Sequence, residues 1–131
     1  MSAAGRLAAT AALGTLVALT AGCSGGGSGS GSSAAPMPRG AAAHDPTLLA
    51  GRKVFSAECA SCHGSGGQGG AGPTFNDGRL LRDFPNPSDQ VAFVEAGRGI
   101  MPAFSGILSR AQIESVVAYE RAVLSARHPG G

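Results

Sequence analysis

Five consecutive residues carry the strongest chemical signal in this chain: Cys59-Ala60-Ser61-Cys62-His63. Two thiols three positions apart can each form a thioether to one vinyl group of a single haem. The adjacent imidazole is then placed to coordinate the iron from one face, so C-x-x-C-H reads as c-type haem attachment. Other uses of two close thiols stay open on spacing alone. A redox dithiol belongs at the start of a helix in a βαβ setting, which the sequence lacks. A zinc site needs more ligands, and no second Cys pair exists. A disulfide across two intervening residues is strained.

Iron that passes electrons without binding small molecules needs a sixth ligand. Of three methionines, Met1 initiates and Met37 stands in a Gly/Ser/Pro stretch, which leaves Met101. It follows His63 by 38 residues, within Gly97-Arg98-Gly99-Ile100-Met101-Pro102-Ala103-Phe104. A Met among Ile, Ala and Phe is often a core filler. A Gly-flanked, Pro-locked loop, however, is where a side chain is aimed at a metal. His44 and His128 are rival ligands, each near an end of the folded part where a solvated histidine is the ordinary outcome.

These residues need elements to hold them. Asp45-Pro46 is an N-cap followed by proline at the first helical position, and Leu48, Gly51 and Phe55 then share one face of a helix expected to reach about Ala57. Six of the nine residues from Gly64 to Gly72 are Gly, which predicts an irregular loop. A short helical turn is expected over 78–83. A second helix starts at Asn86-Pro87 and ends at Gly97, and 98–106 should be extended. The last helix is the best signalled. Ser109 and Gln112 form a capping box, Leu108 can staple onto Ile113, and Ile113, Val116, Val117 and Leu124 make a buried stripe. Arg121 and Arg127 sit toward the negative end of its dipole. With no alternating pattern anywhere, the class is all-α.

The chain has 131 residues, 22 of them Gly, six aromatics, no Trp and a formal charge of +2. That balance excludes a strongly basic nucleic-acid binder and an acidic tail. Three segments are expected. Residues 1–22 hold one charge, Arg6, and a 16-residue Ala/Leu/Val-rich run, too short to span a bilayer and suited to an export signal. They end in Leu19-Thr20-Ala21-Gly22-Cys23, similar to a bacterial lipoprotein signal, which implies a lipid on Cys23 and a Cys23-first mature chain on the outer face of a membrane. Residues 23–43 are Gly-, Ser-, Ala- and Pro-rich and are expected to form a flexible tether with a reach of about 25 Å. Residues 44–131 hold every aromatic and form the folded domain, in which eight basic side chains balance eight acidic ones. The three thiols are thereby used up: Cys23 for lipid, Cys59 and Cys62 for haem.

From Asp45 to Ala126 the chain resembles a class I c-type cytochrome. The residues that carry the resemblance are Gly51-x-x-x-Phe55, the Cys59–His63 motif, Gly72-Pro73, Gly99-Ile100-Met101-Pro102-Ala103-Phe104, and Leu108 to Leu124 with Tyr119. The resemblance implies a small cytochrome c fold of three to four helices around one covalent haem c. It also implies a contact of Gly51 and Phe55 with Tyr119, axial ligation by His63 and Met101, and a hydrogen bond from the ligating imidazole to the carbonyl of Pro73. The propionate partners do not carry over cleanly, Arg79 and Arg82 being candidates only. The implied activity is one-electron transfer without substrate conversion, with redox protein partners such as a membrane oxidase, reductase or dehydrogenase. Ile100, Ala103 and Phe104 are expected to form an apolar docking rim on a monomer. The alternatives are a haem-c subunit of an oxidase or dehydrogenase complex, and a five-coordinate haem protein that binds gases or reduces peroxide.

Overall fold

The computed structural model describes residues 34–127. Helix α1 (Pro46–Val54) is capped by Asp45, whose side chain accepts from the backbone N–H of Thr47 and Leu48. It does not stop near Ala57. A wide turn over Phe55–Cys59, closed by an Ala60 N–H to Phe55 carbonyl bond, carries the chain directly into α2 (Ala60–His63). Helix α3 (Arg79–Asp83) and helix α4 (Pro87–Ala96) follow, with Asn86 flanking α4 but making no side-chain cap. Helix α5 (Arg110–Tyr119) has the full capping box between Ser109 and Gln112. It too passes into a wide turn, Glu120–Leu124, and ends in a 3₁₀ turn over Ser125–Arg127. As α1 and α2 form one run, four helical units result among the described residues. The all-α small cytochrome c fold is borne out, with no strand among the described residues.

The most extensive helix contact is α1 against α5. It depends on Gly51, where a Cβ would lie 2.0 Å from the Ser115 carbonyl oxygen and 2.8 Å from Tyr119 Cβ. Only hydrogen lets the two backbones approach so closely. One turn on, Phe55 meets Tyr119 with ring centroids 5.7 Å apart and Phe75 at 6.2 Å. Phe55, Ile113, Val116, Tyr119 and Leu124 are fully buried, each large apolar side chain contributing about 1.5–3 kcal/mol of burial. A second cluster, Val91, Val94, Phe104, Leu108, Ile113 and Val117, joins α4 to α5 and includes the staple pair.

The tether expected over 23–43 is corrected in its second half, from residue 34 on. Ala35 and Pro38 are buried, and Gly40–His44 forms a 3₁₀ turn. Arg52 Nε donates to the Ala35 carbonyl at 2.6 Å, and the Tyr119 hydroxyl donates to the Pro36 carbonyl at 2.6 Å. Composition suggested disorder, but a fully buried tyrosine hydroxyl needs an acceptor, and this strap supplies it. Burial also pushes the Tyr119 phenol up to about 12, so it stays a donor at neutral pH. Residues 1–22, Cys23 and His128 lie outside the described residues.

Candidate functional site

The α1–α2 run, the loop after it, α3, α4 and the 98–104 segment surround a cavity of about 680 Å³. That volume falls within the range of cofactor sites, about 300–1,000 Å³. Cys59, Cys62, His63, Pro73 and Met101 all line it. The structure thus gathers every haem-related residue singled out by motif, although Met101 is far from the others in sequence.

The wide turn before α2 sets up the two thiols. It leaves Cys59 buried and Cys62 exposed, both as free thiols. Desolvation, helped by the nearby charge of Glu120, pushes the Cys59 thiol up to about 12, so unmodified Cys59 is a poor nucleophile at neutral pH. Among the described residues no group of three or more His, Cys, Asp and Glu is placed to hold a metal ion, so no zinc-type ligand set joins the two thiols.

His63 is the most tightly held member. Its Nδ1 lies 2.9 Å from the Pro73 carbonyl oxygen. A carbonyl can only accept, so the proton sits on Nδ1 and Nε2 keeps a free lone pair for a metal. Phe75 stacks on the ring, with centroids 4.5 Å apart and planes 20° from parallel. On Gly72 a Cβ would lie 2.6 Å from His63 Cε1, so the loop can pass the ring only as glycine. The glycine-rich loop is therefore close packing around an imidazole. Its backbone is tied back by Gly69 N–H to the His63 carbonyl and Gly72 N–H to the Cys62 carbonyl.

Met101 stands in a tight loop rather than an extended run. Reciprocal backbone bonds of 3.0 Å join Arg98 and Met101. Met101 is half-buried against the second core cluster. Ile100 is 84% exposed beside it, and Ala103 is exposed. Phe104 corrects the expected rim: it is 5% exposed and belongs to the core, because the 3₁₀ turn Phe104–Gly106 rotates it inward against α4. His44 is exposed, outside the cavity lining. Of the two propionate candidates, Arg79 lines the cavity but is paired with Asp77 at 2.6 Å, and Arg82 does not line it.

Two buried polar residues of the cavity wall were not anticipated, Gln90 and Glu120. Helical register could have found them. Glu120 continues the buried Ile113, Val116 and Val117 stripe, and Gln90 precedes Val91 and Val94 on the inner face of α4. Gln90 Nε2 donates to Glu120 Oε2 at 2.8 Å. Arg121, expected near the helix dipole, instead donates to Gln90 Oε1 and to the carbonyls of Phe84 and Pro85.

The residues fit a haem. The cavity is large and lined by Leu80, Phe84, Phe93 and Val94, with two thiols at one side and an imidazole whose tautomer frees Nε2. Fold and site together define a small haem-binding helical domain. The family described as cytochrome c oxidase, cbb3-type, subunit III matches residues 46–119, so the chain belongs to that family of c-type cytochrome domains, with one haem c bound covalently. Cytochrome c6 of a Synechococcus species is 46% identical over 71 residues, which is 53% of this chain and 63% of that protein. The cbb3-type cytochrome c oxidase subunit FixP of Azorhizobium caulinodans is 36% identical over 100 residues, 66% of this chain and 34% of FixP. The solved cytochrome c6 of the diatom Phaeodactylum tricornutum matches with TM-score 0.53 and 34% identity, over 60% of this chain and 95% of that one.

Proposed function

We propose that this protein is a membrane-tethered one-electron carrier whose haem is joined to Cys59 and Cys62 and ligated by His63 and Met101. One observation carries the reading: His63 and Met101, distant in sequence, line the same largely apolar cavity. A haem bound there supplies a one-electron couple, and a thioether ligand favours its reduced state and raises its potential. The chain's own contribution is positional. Pro73 fixes the His63 tautomer, Phe75 and Gly72 hold the ring plane, and the Arg98–Met101 loop presents the thioether. Leu80, Phe84, Phe93 and Val94 exclude water. Exposed Ile100, with Ile107 58% exposed, supports an apolar docking rim for redox partners.

The test is the absorption spectrum of the exported, oxidised protein. Wild type is expected to show the sulfur-to-iron band and Met101→Ala to lose it while keeping haem on a denaturing gel. A wild type without that band lacks the Met101 ligand, and a high-spin, five-coordinate spectrum in its place favours gas binding or peroxide reduction and overturns the carrier reading. The tether rests on Cys23: a fatty-acid label should enter the wild type and not Cys23→Ser, which should leave the membrane fraction.

A second reading, a haem-c subunit of an oxidase complex, is favoured by the similarity to FixP. Co-purification with an oxidase in mild detergent supports it, and a haem protein that elutes alone supports the free carrier.

A further inference from the structure

A carboxylic acid inside a haem cavity needs a reason, because a buried charge without a cation is costly. Glu120 is 4% exposed, lies in the wide turn that continues α5, and lines the cavity that holds Cys59, His63 and Met101. Its one hydrogen-bond partner among the described residues is neutral, the Gln90 amide at 2.8 Å. Arg121 settles which way that amide points: a guanidinium can only donate, so the end bonded to Arg121 is the Gln90 carbonyl oxygen and the end facing Glu120 is NH₂.

Other charged groups reach this wall from every neighbouring element. The α1–α2 run contributes Glu58 and Cys59, and α3 contributes Arg79 and Asp83. Arg79 is bound to Asp77, and Arg98 stands across the cavity on the Met101 loop. Tyr119 precedes Glu120 on its own helix and gives its hydroxyl to Pro36. Arg121, next in sequence, spends its donors on Gln90, Phe84 and Pro85. Among the described residues none of these cations forms an ion pair with Glu120, so no fixed partner charge competes with that of a cofactor bound in the cavity.

We propose that Glu120 is a redox-linked proton acceptor, taking up one proton when the haem is reduced and releasing it on oxidation. The proposal rests on the carrier reading above. On reduction, a protein donor gives one electron to the iron while the Glu120 carboxylate takes one proton from water, so the cavity's net charge is unchanged. Oxidation reverses both: the electron leaves to an acceptor protein and the O–H bond of Glu120 breaks, returning its proton to water. The sign follows from Coulomb's law, since oxidised haem carries one more positive charge and favours the carboxylate. Burial supports the assignment by pushing the Glu120 carboxyl up to about 8, opposed by the Gln90 bond. Gln90 acts through Glu120 as a positioning residue.

The experiment is a spectroelectrochemical titration of the full-chain holoprotein from about pH 5 to about pH 10, a window that brackets a raised carboxyl. The wild-type midpoint potential should fall with rising pH, by about 59 mV for each tenfold difference in proton affinity between the two oxidation states. Glu120→Gln should be flat over that window, and Gln90→Leu should move the fall to higher pH. An equal slope in wild type and Glu120→Gln assigns the proton to haem propionates and overturns the proposal, as does a flat wild type. If Glu120→Gln fails to load haem, the wild type decides by redox-difference infrared spectroscopy. A protonated-carboxyl band must appear on reduction within the window, and its absence overturns the proposal. A reversible couple with no proton linkage sinks this inference alone. A chain with no reversible couple sinks the carrier reading as well.

Discussion

The two walls of the cavity are built on different terms. On the His63 wall the imidazole is buried, stacked on Phe75, bonded to Pro73 and crossed by Gly72. On the other wall Met101 is half-buried in a loop closed by two backbone bonds, with Ile100 in solvent beside it. A side chain held on several sides has one geometry, whereas one held mainly by its own loop can swing. The difference teaches that the histidine side carries the fixed reference geometry. The methionine side is the looser of the two and lies beside exposed Ile100.

The largest expected effect breaks the first wall outright. His63→Ala removes the stacked, hydrogen-bonded ring, and the variant should accumulate no stable haem protein, as read by haem staining and by loss of helical circular dichroism. Gly72→Val places a branched side chain where even a Cβ lies 2.6 Å from the ring. It should cost about 1–3 kcal/mol by overpacking and broaden the axial-histidine NMR signals. Met101→Ala attacks the softer wall. It should keep covalent haem and, because Met101 is half-buried, cost less stability than Gly72→Val, so chemical denaturation of the two variants side by side ranks the walls directly.

Glu120 sharpens the comparison through pH. Its folded value is raised to about 8, by desolvation first, from 4.5. Between these values the folded chain keeps a proton that the unfolded chain has released. Its contribution to stability is therefore full below about pH 4.5 and is lost as pH rises through about 8. The loss should be on the order of 5 kcal/mol at about 1.4 kcal/mol per pK unit, and Glu120→Gln should flatten it in denaturation midpoints measured across pH. The smallest effect is expected at Asp77→Asn. The Asp77–Arg79 pair is exposed, so its loss should leave the denaturation midpoint within error.

The sequence was most legible where local chemistry acts over short spans. The Asp45 cap, the Ser109–Gln112 box and the apolar stripe of α5 appear as expected, because capping and helical period are read from neighbouring residues. The helix that runs on through Cys59 to His63 was not legible, since i to i−5 bonding leaves no local pattern of residue types. The strap at Ala35 and Pro36 was misread as tether. Its order comes from Arg52 and Tyr119, 17 and 83 residues away from the carbonyls they bind. Phe104 was assigned to the surface for the same reason: its loop was legible, its direction was not.

Sequence alone determined the family and the starting materials of the site: two thiols and an imidazole at haem spacing, a methionine in a Gly- and Pro-flanked loop, and helices of definite start. These follow from covalent reach and local hydrogen bonding, which the order of residues encodes directly. Tertiary structure alone decided that Gly72 is the cradle of an imidazole and that Ala34 to Ala43 belongs largely to the folded body. It alone turned a glutamate and a glutamine, 30 residues apart, into one buried pair on the cavity wall. Burial is a property of what packs on all sides at once, and it is burial that raises the proton affinity of an ordinary carboxyl.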